Sequence, residues 1–224
     1  MSAPTAVSTM VLKSVPMFAT FSQDQLHALM GMMVRRTAPR GSAIMHEGDP
    51  VDSLYIVVSG RLKVMMGEAD GKETILSIIG PGEFFGEMGL IDDNPRSASV
   101  VAIEPCELLA ITKHAFRKCL VENADLAMAV MRVLVRRLRE ADRKIGSLAM
   151  LDVYGRVARL LLDISENVNG RRVVTKRLTK QDIAKMVGAS REMVSKVMRD
   201  LQTSGYIEVQ GSSIVLRDTN PQSH

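Results

Sequence analysis

The chain has 224 residues, with 29 Lys+Arg against 25 Asp+Glu, four His and two Cys, which is room for one large domain or two small ones. Hydrophobic residues make up 46% and charged residues 24%, ordinary globular values that exclude wholesale disorder and allow a sizeable core. Two Cys cannot build a disulfide framework and suit a reducing, cytoplasmic setting; no apolar run approaches the ~18 residues of a membrane helix, and the opening residues lack the basic start of a signal peptide.

Residues 1–20 read as an N-terminal arm. Ser22 with Gln25 three positions on resembles a capping box, opening a helix with Leu26, Leu29, Met30 and Met33 on its apolar side. From about Ala38 short β-type runs follow: Ser53–Ser59, Arg61–Met66, Thr74–Ile79, Ser97–Ile103 and Glu107–Ile111. Turn signals separate them at Glu47-Gly48-Asp49-Pro50, Ser59-Gly60, Asp70-Gly71, Gly80-Pro81-Gly82 and Asn94-Pro95. Asp-Gly between strand-like runs signals a hairpin, and many short strands at this spacing suggest a β-barrel or roll.

Near Lys113 the pattern changes again. Between Asp125 and Leu148 the residues Met131, Leu134, Leu138, Ala141, Ile145 and Leu148 recur at alternating steps of three and four. That is a narrow coiled-coil seam, which points to a two-helix dimer interface; an amphipathic helix packed on its own domain is the alternative. A second helix is expected at Leu151–Ser165, with a break at Asn169-Gly170.

Two short helical patterns come next. Lys180–Met186 carries Ile183, Met186 and Val187 inward, and Ser190–Ser204 carries Met193, Val194, Val197, Met198 and Leu201 inward. Gly188 can end the first and Ser190 can cap the second, which makes a helix-turn-helix candidate. Gly205–Val209 and Ser213–Leu216 read as a hairpin wing around Gln210–Ser212. Between Arg171 and Arg199 nine basic residues face only Asp182 and Glu192, so this segment carries +7 and leaves −3 for the remainder of a chain whose net is +4. A basic third on an otherwise acidic chain suits a polyanion; a solvated helix surface is the bland alternative. Cys106 and Cys119 lie apart and His27, His46, His114 and His224 form no local cluster. No Ser-His-Asp signature, phosphate-binding Walker loop or zinc-protease motif appears, so neither an enzyme nor a metal site is expected.

Three stretches together resemble the catabolite activator protein/FNR superfamily of bacterial transcription regulators: Gly86-Glu87-Met88-Gly89-Leu90 with Arg96-Ser97, Leu148–Val153, and Thr179-Lys180-Gln181 leading to Val187–Glu192. The resemblance covers nearly the whole chain. It implies an α+β fold: a cyclic-nucleotide-binding β-roll of the double-stranded jelly-roll type over 21–124, a dimerisation helix over 125–148, and a winged helix-turn-helix over 149–224.

A buried phosphodiester needs an Arg, backbone N–H groups and little bulk nearby. The resemblance gives Arg96 and Ser97 to the phosphate, Glu87 to the ribose 2′-hydroxyl, and backbone contacts to Gly86 and Met88. At the base-reading position of the long helix, where the cyclic-AMP activator has a Thr-Ser pair, stand Ala141-Asp142. A carboxylate only accepts hydrogen bonds. It matches guanine's adjacent N1–H and N2 amine and faces adenine's bare N1 unfavourably. Arg139 and Asp142 also have the Arg-x-x-Asp spacing seen in some cyclic di-GMP sites. The expected effector is therefore cyclic di-GMP or cyclic GMP, with cyclic AMP next. For DNA, the resemblance assigns base reading to Arg191 and Glu192, with Lys196 where the cyclic-AMP activator has Arg; Arg pairs with guanine and Glu accepts from cytosine, while Lys lacks the bidentate fork. Thr179, Lys180, Gln181 and Ser190 are candidates for phosphate contacts. A homodimer on a two-fold DNA site is implied, with RNA polymerase as a further partner and an effector-shifted hinge around Gly146–Asp152. Two alternatives stay open: a ligand-independent or redox/haem-responsive regulator with a vestigial pocket, and an enzyme's regulatory subunit that uses only the β-roll.

Overall fold

In β3 (Ser53–Ser59) the side chains of Leu54 and Ile56 fall to one side, and those of Tyr55 and Val57 to the other, as the two-residue period of a strand requires. Both sides are covered, which is why this run lacks a polar face. In this computed structural model, which describes residues 12–13, 15–67, 73–175, 178–211 and 213–217, β3 is central to an antiparallel sheet with the order β1-β8-β3-β6. β3 pairs with β8 (Cys106–Thr112) on one side and β6 (Phe84–Phe85) on the other, and β1 (Met33–Ala38) pairs with the far edge of β8. A second antiparallel sheet has the order β2-β7-β4-β5, built from β2 (Ala43–Met45), β4 (Leu62–Gly67), β5 (Glu73–Ile79) and β7 (Ser99–Ala102). Val57, Phe85 and Leu108 from the first sheet pack with Leu62, Ile79 and Val100 from the second. Leu54, Ile56, Leu109 and Ile111 pack outward, against helical residues Leu26, Leu29, Phe116, Leu126 and Val130. The Asp70-Gly71 turn lies outside the described residues, but Gly67 and Glu73 pair across the strands that flank it.

Several elements depart from the sequence expectation. Leu12, Val15, Met17 and Phe18, placed in the arm, are buried in the core of the roll. Ser22 does open a helix through a capping box, but that helix spans Gln23–Met30, and Met33 begins β1 instead. Strand β1 has no apolar alternation to announce it: Val34, Arg35, Arg36 and Thr37 are all exposed, and among the described residues it pairs only with β8. A helix at Lys113–Glu122, with Thr112 as its N-cap, fills the segment that the pattern had left unassigned.

The long helix runs unbroken from Ala124 to Met150. The division of the chain into two compact units falls within it, between Leu138 and Arg139. In the first unit Leu126 and Val130 are buried on the roll, with Val133 and Leu134 partly so. Leu134, expected in the seam, is thus drawn to its own domain, while Met131, Val135 and Leu138 are exposed. In the second unit Ile145 and Leu148 are exposed as well. No described helix is long and apolar enough to cross a membrane.

The second unit has its own core. The helix Val153–Ile164 begins at Asp152, whose carboxylate accepts from Gly155 N–H at 2.8 Å. Its Val157 and Leu161 pack with Ile183, Val187, Val194, Val197 and Leu201 from the two helices Lys180–Val187 and Arg191–Thr203. An antiparallel sheet of order β11-β12-β10-β9 completes the unit. Its strands are β9 (Glu166–Val168), β10 (Arg171–Val174), β11 (Ile207–Gln210) and β12 (Ser213–Leu216). The Asn169-Gly170 break is therefore a hairpin turn between two short strands. Ser212, in the turn of the wing, lies outside the described residues.

Candidate ligand and nucleic-acid sites

The cassette Gly86–Ser97 is organised by Arg96. Its guanidinium donates from Nη1 to Gly86 O at 2.8 Å and from Nη2 to Ser53 O at 2.7 Å and Asp52 Oδ1 at 3.2 Å. The side chain is 3% exposed, and its carbon Cζ lies 6.0 Å from the centre of the Tyr55 ring, which stacks on Phe85. Burial, with Asp52 nearby, pushes the Tyr55 hydroxyl above its ordinary pKa. Gly86 has φ +83, and a Cβ there would lie 2.5 Å from Arg96 Nη1. Only glycine meets both demands. The Arg-Gly juxtaposition is thus a built feature. The expected phosphate-binding Arg already holds two carbonyls and the Asp52 carboxylate, using three of its five N–H donors.

Glu87 is buried, and its Oε1 accepts from Arg137 Nη1 at 2.6 Å. Arg137 also donates to Phe84 O and stacks over the Phe84 ring at 5.1 Å. This partner, 50 residues away in sequence, was missed: nothing local distinguishes Arg137 from Arg136. Met88 is exposed and begins a one-turn helix, Met88–Asp92, while Ser97 is exposed with its hydroxyl donating to Met88 Sδ at 3.5 Å. Asp93 follows that helix with φ 63. Its carboxylate is held by Lys113 Nζ at 2.5 Å and Arg117 Nη2 at 2.9 Å, contacts that draw its pKa down to about 2. Arg117 also donates to Leu90 O at 2.6 Å, so it satisfies the open end of the short helix. Arg139 and Asp142 are exposed on the long helix, in the second unit.

In the second unit Thr179 and Asp182 form a reciprocal capping box at the start of Lys180–Val187. Gly188 ends that helix with φ 64, and the Ser190 hydroxyl then accepts from Met193 N–H at 3.1 Å to begin Arg191–Thr203. Thr179 and Ser190 thus serve as caps. Arg191, Glu192 and Lys196 are exposed, opposite the buried Val194, Val197, Met198 and Leu201. Met193, expected inward, is 45% exposed beside them; its place one residue before Val194 turns it to the edge of the apolar face. Lys180 and Gln181 are exposed as well.

Residues 35–123 match the cyclic nucleotide-binding domain, and residues 155–220 the Crp-like helix-turn-helix domain. A CRP-like cAMP-activated global transcriptional regulator of Mycobacterium tuberculosis is 33% identical over 213 residues, covering 93% of this chain and 95% of that one. The chain belongs to the CRP/FNR family. The cAMP-activated global transcriptional regulator CRP of Pasteurella multocida is 35% identical over 188 residues, covering 81% of this chain and 88% of that one. The solved structure of CLP from Xanthomonas campestris, described as a c-di-GMP responsive global regulator, is 31% identical with a TM-score of 0.75, covering 88% of this chain and 100% of that one. Members of the CRP/FNR family are transcription regulators, not enzymes, and the β-roll with its C-terminal helix-turn-helix is the fold of that family.

Proposed function

We propose that this CRP/FNR protein is a cytoplasmic, homodimeric regulator that binds a cyclic nucleotide in its β-roll and a two-fold operator through its helix-turn-helix, and acts on RNA polymerase. The observation that carries the proposal is the helix Arg191–Thr203: exposed Arg191, Glu192 and Lys196 opposite a buried apolar face. Arg supplies a fork for guanine O6/N7, Glu an acceptor for cytosine N4, and exposed Met193 an apolar group suited to a thymine methyl. Thr179, Lys180, Gln181 and Ser190, at the starts of the two helices, serve the phosphates.

The effector site rests on Arg96, Ser97, Glu87 and the backbone of Gly86 and Met88. Two donors of Arg96 remain for a phosphate, and Glu87 offers further acceptor positions beyond the one Arg137 occupies. Asp142, an acceptor without a donor, favours guanine, with Arg139 three residues before it for the N7/O6 edge. Support from relatives is divided: two named above are cAMP-activated and one is c-di-GMP responsive.

Calorimetric titration of the protein with cyclic AMP, cyclic GMP and cyclic di-GMP tests the assignment. Guanine-selective binding that turns indifferent to the base in Asp142→Ala is the expected outcome. A cyclic-AMP preference, or a guanine preference that survives the substitution, removes Asp142 as the base reader. The burial of Arg96 favours a second possibility, a regulator whose pocket is structural only. It predicts salt-sensitive DNA binding with no response to any of the three nucleotides.

A further inference from the structure

Arg156 lies in the first turn of the helix Val153–Ile164, and its guanidinium donates to three main-chain carbonyls from two different segments. Nη1 reaches Leu151 O at 2.9 Å, Nε reaches Val187 O at 2.9 Å, and Nη2 reaches Gly188 O at 3.4 Å. Leu151 is the first residue beyond the long helix. Val187 and Gly188 are the last residue and the cap of the first helix of the helix-turn-helix. The last carbonyls of a helix have no partners within it and carry its negative end, so a cation with a forked donor set is well matched there. The same turn meets the long helix a second time: a Cβ on Gly188 would lie 3.8 Å from Leu148 Cδ2. Beyond the turn, Ala189 N–H donates to Ala184 O at 3.1 Å and Ser190 caps the recognition helix. A continuous series of short polar contacts therefore joins the end of the long helix to the start of the helix that carries Arg191 and Glu192.

We propose that Arg156 is the positioning residue that makes the recognition helix follow the end of the long helix, so that a ligand-induced change at that end alters DNA binding. The proposal rests on the reading that a cyclic nucleotide regulates this protein. The helix is continuous through Gly146, and the chain leaves helical form at Leu151-Asp152, so the carbonyl that Arg156 grips is at the break itself. Lysine cannot replace arginine here, because one ammonium on a flexible stem lacks the rigid fork that bridges two segments.

The test uses the full-length wild type, R156A and R156K, with cyclic AMP, cyclic GMP and cyclic di-GMP titrated by calorimetry. DNA affinity is measured on a duplex enriched from a random-sequence pool by the wild type, with and without the nucleotide that the wild type binds. Both variants keep nucleotide affinity within about twofold, while the ratio of the two DNA affinities, about tenfold or more in the wild type, falls to within about threefold of unity. A wild-type ratio in the variants overturns the proposal. So does loss of DNA binding in both states by folded protein, which would make Arg156 part of the DNA-reading head rather than its coupling. R156K, which keeps the cation, decides the matter where R156A folds poorly. A wild type that binds no nucleotide defeats the regulatory reading, and amide exchange of ligand-free protein then decides on Arg156. Exchange at residues 187–190 faster in R156A upholds its hold on the turn, and unchanged exchange overturns it.

Discussion

Two arginines, Arg96 in the β-roll and Arg137 on the long helix, are held by contacts within the protein itself. Arg96 closes the cassette by holding Gly86 O and Ser53 O, and Arg137 neutralises the buried Glu87. An unpaired buried carboxylate would be costly, so Arg137 is needed whether or not a ribose binds. Neither arrangement could be read locally from the sequence. Arg96 and Glu87 were reached through the family resemblance, as phosphate and ribose residues, but their partners are two backbone carbonyls with Asp52 for Arg96, and Arg137, 50 positions away, for Glu87. Asp93 yields a sharper expectation. Its pKa of about 2, against an ordinary value of 3.8, reflects the contacts with Lys113 and then Arg117. A carboxylate with a depressed folded-state pKa stabilises the fold above its unfolded pKa, and that contribution disappears as pH falls through the folded value. The wild type therefore loses this increment between about pH 4 and pH 2. Asn tolerates the left-handed backbone at this position, so Asp93→Asn isolates the charge. Denaturant unfolding should find the variant less stable than the wild type near neutrality, with the difference closing towards pH 2. A gap that persists at pH 2 would assign the effect to something other than the carboxylate.

At the scale of elements, the sequence was most legible where apolar residues run together between turn signals. Ser53–Ser59 and Ser213–Leu216 appear in the structure with the bounds read from their apolar runs. Strand β1 was illegible because its middle residues, Val34 included, are exposed and follow no apolar alternation, and its pairing comes from β8, far along the chain. The pair β9 and β10 was hidden for a related reason: β9 is wholly exposed, so only the Asn169-Gly170 turn was visible. The helix-turn-helix was the opposite case, since Gly188 and Ser190 are local signals with local causes. Gly188 adopts φ 64, and the nearest atom to an added Cβ, at 3.8 Å, is in ordinary contact. The cost of a side chain there is thus conformational rather than steric. Gly188→Ala should destabilise the protein by about 1 kcal/mol in denaturant unfolding, and Gly188→Asn by less. Equal stability of the alanine variant would mean that the turn does not need the left-handed conformation.

For the whole molecule the unanswered question is what covers the exposed apolar positions of the long helix. Met131, Val135, Leu138 and Ile145 remain in solvent although Leu126 and Val130 of the same helix are buried. A helix that packs only on its own domain would leave polar residues on its outer side. Since Leu134 turns to the roll, the ridge runs through Met131, Val135 and Leu138 to Asp142 and Ile145, at steps of four, three, four and three. That spacing is the seam of a two-stranded coiled coil, and it places Asp142 on the ridge itself, near the position where a second copy would lie. Burying apolar area at about 25 cal/mol per Å² favours association, and a charge at the centre of the seam opposes it. Leu138, 62% exposed, is free of the roll's core, so Leu138→Glu should leave the fold of the β-roll intact. In light scattering the wild type should have twice the chain mass and the variant the mass of one chain. DNA affinity should fall with it, because a monomer engages one half-site and loses the gain from linking two. A variant that stays dimeric would place the interface elsewhere, and a monomeric variant with wild-type DNA affinity would separate operator binding from dimerisation.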